Sequence, residues 1–162
     1  MSWNKYIVVA LLLLSLGLVT AQQSKKIKFK VHLKSAELYV KKLKNSTYFI
    51  HKDGILIDSI FTKKNTVSLS LSSGHIYKVT FSKKGFTNKH IIVNTIDVPG
   101  VKKLKLKADI TLFRPQKNWE IDFLEHQPVS IASYNFVKRT LAWDFDYNRS
   151  VVEKIILATI KR

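Results

Sequence analysis

Two stretches of this chain alternate strictly between apolar and polar residues. In the first, Ile27, Phe29, Val31 and Leu33 alternate with Lys26, Lys28, Lys30 and His32. In the second, Leu104, Leu106, Ala108, Ile110 and Leu112 alternate with Lys103, Lys105, Lys107, Asp109 and Thr111. A period of two puts the apolar side chains on one side of an extended strand and the lysines on the other. A helix of 3.6 residues per turn would scatter both sets around its circumference, so these segments specify half-buried strands.

The rest of the first two-thirds reads the same way. Leu38 and Val40 form a short run, and Tyr48 to His51 lead into Lys52-Asp53-Gly54 and then Ile55 to Phe61. Asp-Gly between two apolar runs signals a hairpin, because Gly accepts the positive φ of a tight primed turn. Val67, Leu69 and Leu71 alternate with serines, Ile76 to Phe81 end at Lys83-Lys84-Gly85, and Lys89 to Thr95 form the next run. Short strands at this spacing predict an antiparallel β-sandwich over residues 22–113.

The pattern changes after Phe113. Residues 114–162 read as a C-terminal extension. Arg114 to Glu125 is a loop anchored by Trp119 and Phe123, and Val129 to Ser133 and Thr140 to Phe145 are short strands. Ser150-Val151-Val152-Glu153 matches a capping box. Val151, Val152, Ile155, Ile156, Thr159 and Ile160 then recur at helical spacing, so an amphipathic helix is expected from about Ser150 to Ile160, packed on the sandwich. Lys161 and Arg162 would complement the negative end of its dipole.

Residues 1–21 stand apart from the fold. Lys5 precedes an apolar run from Ile7 to Val19, and Val19-Thr20-Ala21 is a small-residue cleavage pattern. This is a secretory signal peptide with cleavage expected after Ala21, and its core is shorter than the ~20 apolar residues a span requires. The expected location is extracytoplasmic, either periplasmic or secreted, with no membrane span after cleavage. The 162 residues include no cysteine, so disulfides, thiolate metal sites and a cysteine nucleophile are excluded. Stability must then come from a packed core, which the 46% hydrophobic content can supply.

One segment carries a resemblance. Residues 47–54 read Thr-Tyr-Phe-Ile-His-Lys-Asp-Gly, residues 77–86 read Tyr-Lys-Val-Thr-Phe-Ser-Lys-Lys-Gly-Phe, and residues 91–95 read Ile-Ile-Val-Asn-Thr. This is similar to the transthyretin-like, carboxypeptidase-regulatory-like β-sandwich of secreted Bacteroidetes proteins. There a K-D-G hairpin precedes a Y-x-V-x-F-S-K-x-G-Y/F strand and an I-x-V-x-T strand. Gln127-Pro128-Val129 and Trp143-Asp144-Phe145-Asp146-Tyr147 also resemble Q-P-V and F-D-F-D segments of that family. The likeness covers roughly Ala36 to Arg162. It implies a prealbumin or immunoglobulin-like sandwich serving as a noncatalytic accessory or binding module at the cell envelope, and it brings no catalytic residues.

Patterns for chemistry are sparse. His32, His51, His75, His90 and His126 show no i, i+4 pair, so a metal site has no sequence support. Asp144 and Asp146, and likewise Glu120 and Asp122, lie two apart. On a strand each pair would share a face about 7 Å apart, in reach of a calcium or glycosidase arrangement, but the solvent side of a strand is the simpler account. There is no G-x-S-x-G or S-x-x-K motif and no glycine-rich phosphate loop. No cofactor pattern stands out. Asn45-Ser46-Thr47 and Asn148-Arg149-Ser150 match the glycosylation acceptor, which matters only in a eukaryotic secretory pathway.

Charge is the remaining signal. The formal net charge is +17. Residues 22–107 hold 19 lysines against four acids, a net of +15, whereas residues 108–162 hold eight basic and seven acidic residues. Lys26, Lys28 and Lys30 share one strand face, and Lys103, Lys105 and Lys107 share another. If the two strands are neighbours they form a like-charge ladder, unfavourable unless a polyanion covers it. Lipopolysaccharide, teichoic-type polymers and extracellular nucleic acid fit that description. Against a polyanion site, lysine outnumbers arginine 24 to 4: specific phosphate clamps favour arginine's bidentate fork, and a lysine-rich face also fits a solvated surface that protects strand edges from aggregation. No aromatic ladder accompanies the lysines, which argues against sequence-specific nucleic-acid reading. The sequence thus supports a secreted, noncatalytic β-sandwich module that binds a cell-envelope protein or serves structure. Its alternative is a binder of anionic polymers through those six lysines, and a small secreted hydrolase ranks last.

Overall fold

A computed structural model describes residues 26–37, 42–99 and 103–160. The apolar segment 1–21, its cleavage point at Ala21, the Leu38–Val40 run, and Lys161 and Arg162 lie outside those residues. Among the described residues nine strands form two sheets: β1 (Lys26–Ser35), β2 (Ser46–Lys52), β3 (Ile55–Thr62), β4 (Thr66–Ser72), β5 (Ile76–Ser82), β6 (Lys89–Asn94), β7 (Lys105–Leu112), β8 (Ser130–Asn135) and β9 (Thr140–Trp143). One sheet has the order β4-β1-β7 and the other β3-β2-β5-β6-β8-β9. A 3-10 helix at Asp122–Glu125 and a helix, α1 (Phe145–Ile160), complete the described structure. The protein is mainly β, a two-sheet sandwich with one C-terminal helix.

The alternating strands behave as their period demands. Ile27, Phe29, Val31 and Leu33 of β1 and Leu106, Ala108, Ile110 and Leu112 of β7 are buried, and they meet Tyr48, Ile50, Tyr77, Val79, Phe81, Ile91 and Val93 of the larger sheet in one core. Asp53 and Gly54 both have positive φ, 50° and 86°, and turn β2 into β3 with Lys52 opposite Ile55. The Asp53 carboxylate accepts from the Ile76 amide at 2.9 Å and lies 2.7 Å from His75 Nδ1, which pins the hairpin to the start of β5. These partners, the Ile76 amide first, hold the Asp53 carboxyl below its ordinary pKa.

Three expectations need correction. The sandwich is mixed: β1 runs parallel to β7 and β6 parallel to β8, while the other five pairings are antiparallel. Alternation reveals which side chains face the core but not which way a strand runs, and both parallel pairs join strands with long connections. The helix begins at Phe145, five residues before Ser150, because Asp144 caps it: the Tyr147 amide donates to Asp144 Oδ1 at 2.9 Å. Ser150 lies inside the helix and donates to the Tyr147 carbonyl at 2.8 Å. Finally, β9 ends at Trp143, so Asp144 and Asp146 share no strand face. One is a cap and the other sits in the first helical turn.

Candidate functional site

The two lysine strands are neighbours. In the parallel register of β1 and β7, Lys28 sits beside Lys105 and Lys30 beside Lys107. On the other flank β4 places Ser72, Ser70 and Ser68 beside Lys26, Lys28 and Lys30. Lys103 is exposed two residues before β7, next to Leu104, whose carbonyl accepts from the Lys28 amide at 3.0 Å. All six lysines are exposed, and none belongs to an ion pair among the described residues. Adjacent strands lie about 4.8 Å apart, inside the ~8 Å screening length of physiological salt, so the potentials of paired lysines add. A depression of about 390 Å³ lies over Lys28, Lys30, Ser68, Ser70, Lys105 and Lys107.

The face changes character along its length. Next in register, His32 sits beside Asp109. Asp109 is approached by Lys34 Nζ at 2.6 Å and His32 Nδ1 at 3.1 Å. Lys34 first, then His32, holds the Asp109 carboxyl below its ordinary pKa. Beyond it opens a larger groove of about 890 Å³ along the free edge of β7. Trp143 of β9 forms part of its wall. The indole Nε1 donates to the Lys107 carbonyl at 2.8 Å, and the ring centroid lies 6.2 Å from that of Phe29 in the core. This contact closes the seam between the sheets where β7 and β9 are both edges. Lys107 lines both the depression and the groove, so the two border on the same residue.

The remaining candidates are dispersed. His32 and His75 are each paired with a carboxylate. His90 is buried on the other face of the large sheet. Its burial and the positive charge of Lys78 push its pKa down to about 4, so the ring is neutral near pH 7. Among the described residues no three His, Asp or Glu side chains are placed to hold a metal ion. Glu120 lies in the loop before the 3-10 helix and Asp122 within that helix, not together on a strand. Sequence reasoning missed the groove. It spans β1, β7, the β3–β4 turn and the start of α1, which no local pattern connects. Trp143 lies in the expected strand Thr140 to Phe145, and its indole donor was the available signal for a role at the seam.

A comparison with protein-family models finds no match, and neither does one with curated protein sequences.

Proposed function

We propose that this protein is a secreted, noncatalytic β-sandwich module of the cell envelope, of the transthyretin-like kind, that binds an anionic polymer through the lysine face of β1 and β7. One observation carries the reading: Lys28 beside Lys105 and Lys30 beside Lys107, exposed and without an ion pair among the described residues, with Ser70 and Ser68 on the other side of Lys28 and Lys30. Like charges side by side oppose the folded state, so the arrangement gains most when a polyanion lies over it. The apolar segment 1–21 supports export, and the Asp53-Gly54 hairpin and the Phe81 to Phe86 segment support the family likeness. The groove brings one carboxylate, Asp109, and one histidine, His32. They are spent on each other and on Lys34, which favours binding over hydrolysis.

Retention of the purified protein on immobilised heparin tests this. Binding should weaken steeply from low to physiological salt, because each neutralised anionic group releases counterions. Reversal of Lys103, Lys105 and Lys107 to Glu should abolish retention. Weak or salt-insensitive retention, or retention unchanged in the triple variant, would overturn the assignment.

A further inference from the structure

We infer that the anionic polymer is an acidic polysaccharide, and that the groove beside β7 holds one or more of its uronic acid residues. The inference rests on the polyanion reading above and deepens it. A chain of phosphates needs little beyond cations, and the lysine ladder by itself would serve. The groove offers more. Lys42 and Lys107 are cations that no carboxylate among the described residues pairs with. Asn65 adds an amide group, Asn148 an amide N–H beside the Oδ1 that Ser130 occupies, Asp109 the lone pairs that His32 and Lys34 leave over, and the half-buried Trp143 an aromatic surface.

A uronic acid residue matches that set piece by piece. Its carboxylate answers the free lysines, and its hydroxyls, which can both donate and accept, suit the amides and the acceptor oxygens of Asp109. The apolar C–H face of its ring suits an indole. Trp143 is held in place before any ligand arrives, by the Lys107 carbonyl at one edge and Phe29 behind, so little rotamer freedom is lost on binding. The groove volume falls within the range of small-molecule sites. Because Lys107 belongs to both surfaces, one chain can run from the ladder past Lys107 into the groove. A nucleic acid is less well served, since successive bases need successive aromatic platforms and the groove provides a single indole.

The test compares oligogalacturonate, linear polyphosphate and single-stranded DNA by titration, while following the indole N–H resonance of Trp143 by NMR. Oligogalacturonate should shift that resonance and bind more tightly than polyphosphate of equal charge. Trp143→Phe, which keeps a ring against Phe29, should weaken oligogalacturonate about tenfold, as loss of one central contact does, and polyphosphate hardly at all. Asn65→Ala together with Lys42→Ala should do the same without touching the core. If polyphosphate or DNA binds as tightly as oligogalacturonate, or the groove variants leave oligogalacturonate unaffected, this inference falls while the ladder reading stands. If no polyanion binds, both fall together.

Discussion

Tyr48 and Lys89 are the residues at which this core departs from simple apolar packing. Tyr48 is fully buried, with its ring edge-to-face on Phe81 at 5.6 Å. Its hydroxyl has no hydrogen-bond partner among the described residues, and burial pushes its pKa up to about 12. An orphaned buried hydroxyl costs about 1–3 kcal/mol. Tyr48→Phe should therefore stabilise the protein by about 1 kcal/mol, read as a higher urea midpoint with an unchanged slope. Lys89 points inward from β6, with Nζ donating to the Thr111 carbonyl at 2.7 Å and 4.5 Å from the Phe113 ring centroid. Burial pushes its pKa down to about 8. Between pH 8 and about 10 the unfolded chain holds a proton that the folded one has released, so stability should rise across that window by on the order of 2–3 kcal/mol. Above pH 10 Tyr48 acts in the opposite sense, because the unfolded phenol ionises first. Lys89→Met should flatten the rise between pH 8 and 10 in a series of urea melts. The sequence placed Lys89 at the start of a strand, but its inward direction depended on register with Phe81.

Secondary-structure elements were legible where a single pattern spoke and misread where two competed. The Asp53-Gly54 hairpin, β1 and β7 came directly from turn chemistry and alternation. At the C-terminus, Thr140 to Phe145 looked like a strand because aromatic residues alternate with acids there, and Ser150-x-x-Glu153 looked like a helix start. The backbone reaches its turning point earlier, where the Asp144 amide donates to the Ile131 carbonyl at 2.9 Å and the Asp144 carboxylate is free to cap. Asp144→Ala should cost about 1 kcal/mol and Ser150→Ala a few tenths at most, since Ser150 merely bonds back one turn. Thermal melts of the two variants separate the readings. An equal loss in both would restore Ser150 as the cap. The same Asp144–Ile131 bond ties the junction of β9 and α1 to β8. The helix starts where β8 begins, and Ser130 Oγ lies 2.8 Å from Asn148 Oδ1 in its first turns.

For the whole molecule the deciding feature is where the charge ended up. Strand patterns divided the lysines from the core but left open whether the two lysine strands were neighbours. They are, through a parallel pairing between residues nearly eighty positions apart, as Lys28 beside Lys105 and Lys30 beside Lys107. Such a face should trade stability against binding. Lys105→Ser should raise stability by a few tenths of a kcal/mol through relief of like-charge repulsion, while shortening retention on heparin. Added salt should raise the Tm of the parent protein more than that of the variant, because screening relieves the same repulsion. A Tm that responds equally in both would mean that the ladder carries no strain.

The sequence by itself determined the sandwich class, the inner and outer faces of each long strand, the tight hairpin and the segregation of charge. All of these follow from local rules, namely side-chain period and turn stereochemistry, which act over a few residues. Only the tertiary structure decided that β1 and β7 run parallel and side by side, that Trp143 ties β9 to β7, and that Lys107 borders both a depression and a groove. Those facts depend on which distant strands share hydrogen bonds. Backbone donors and acceptors are the same in every strand, so the choice belongs to the packing of the whole core.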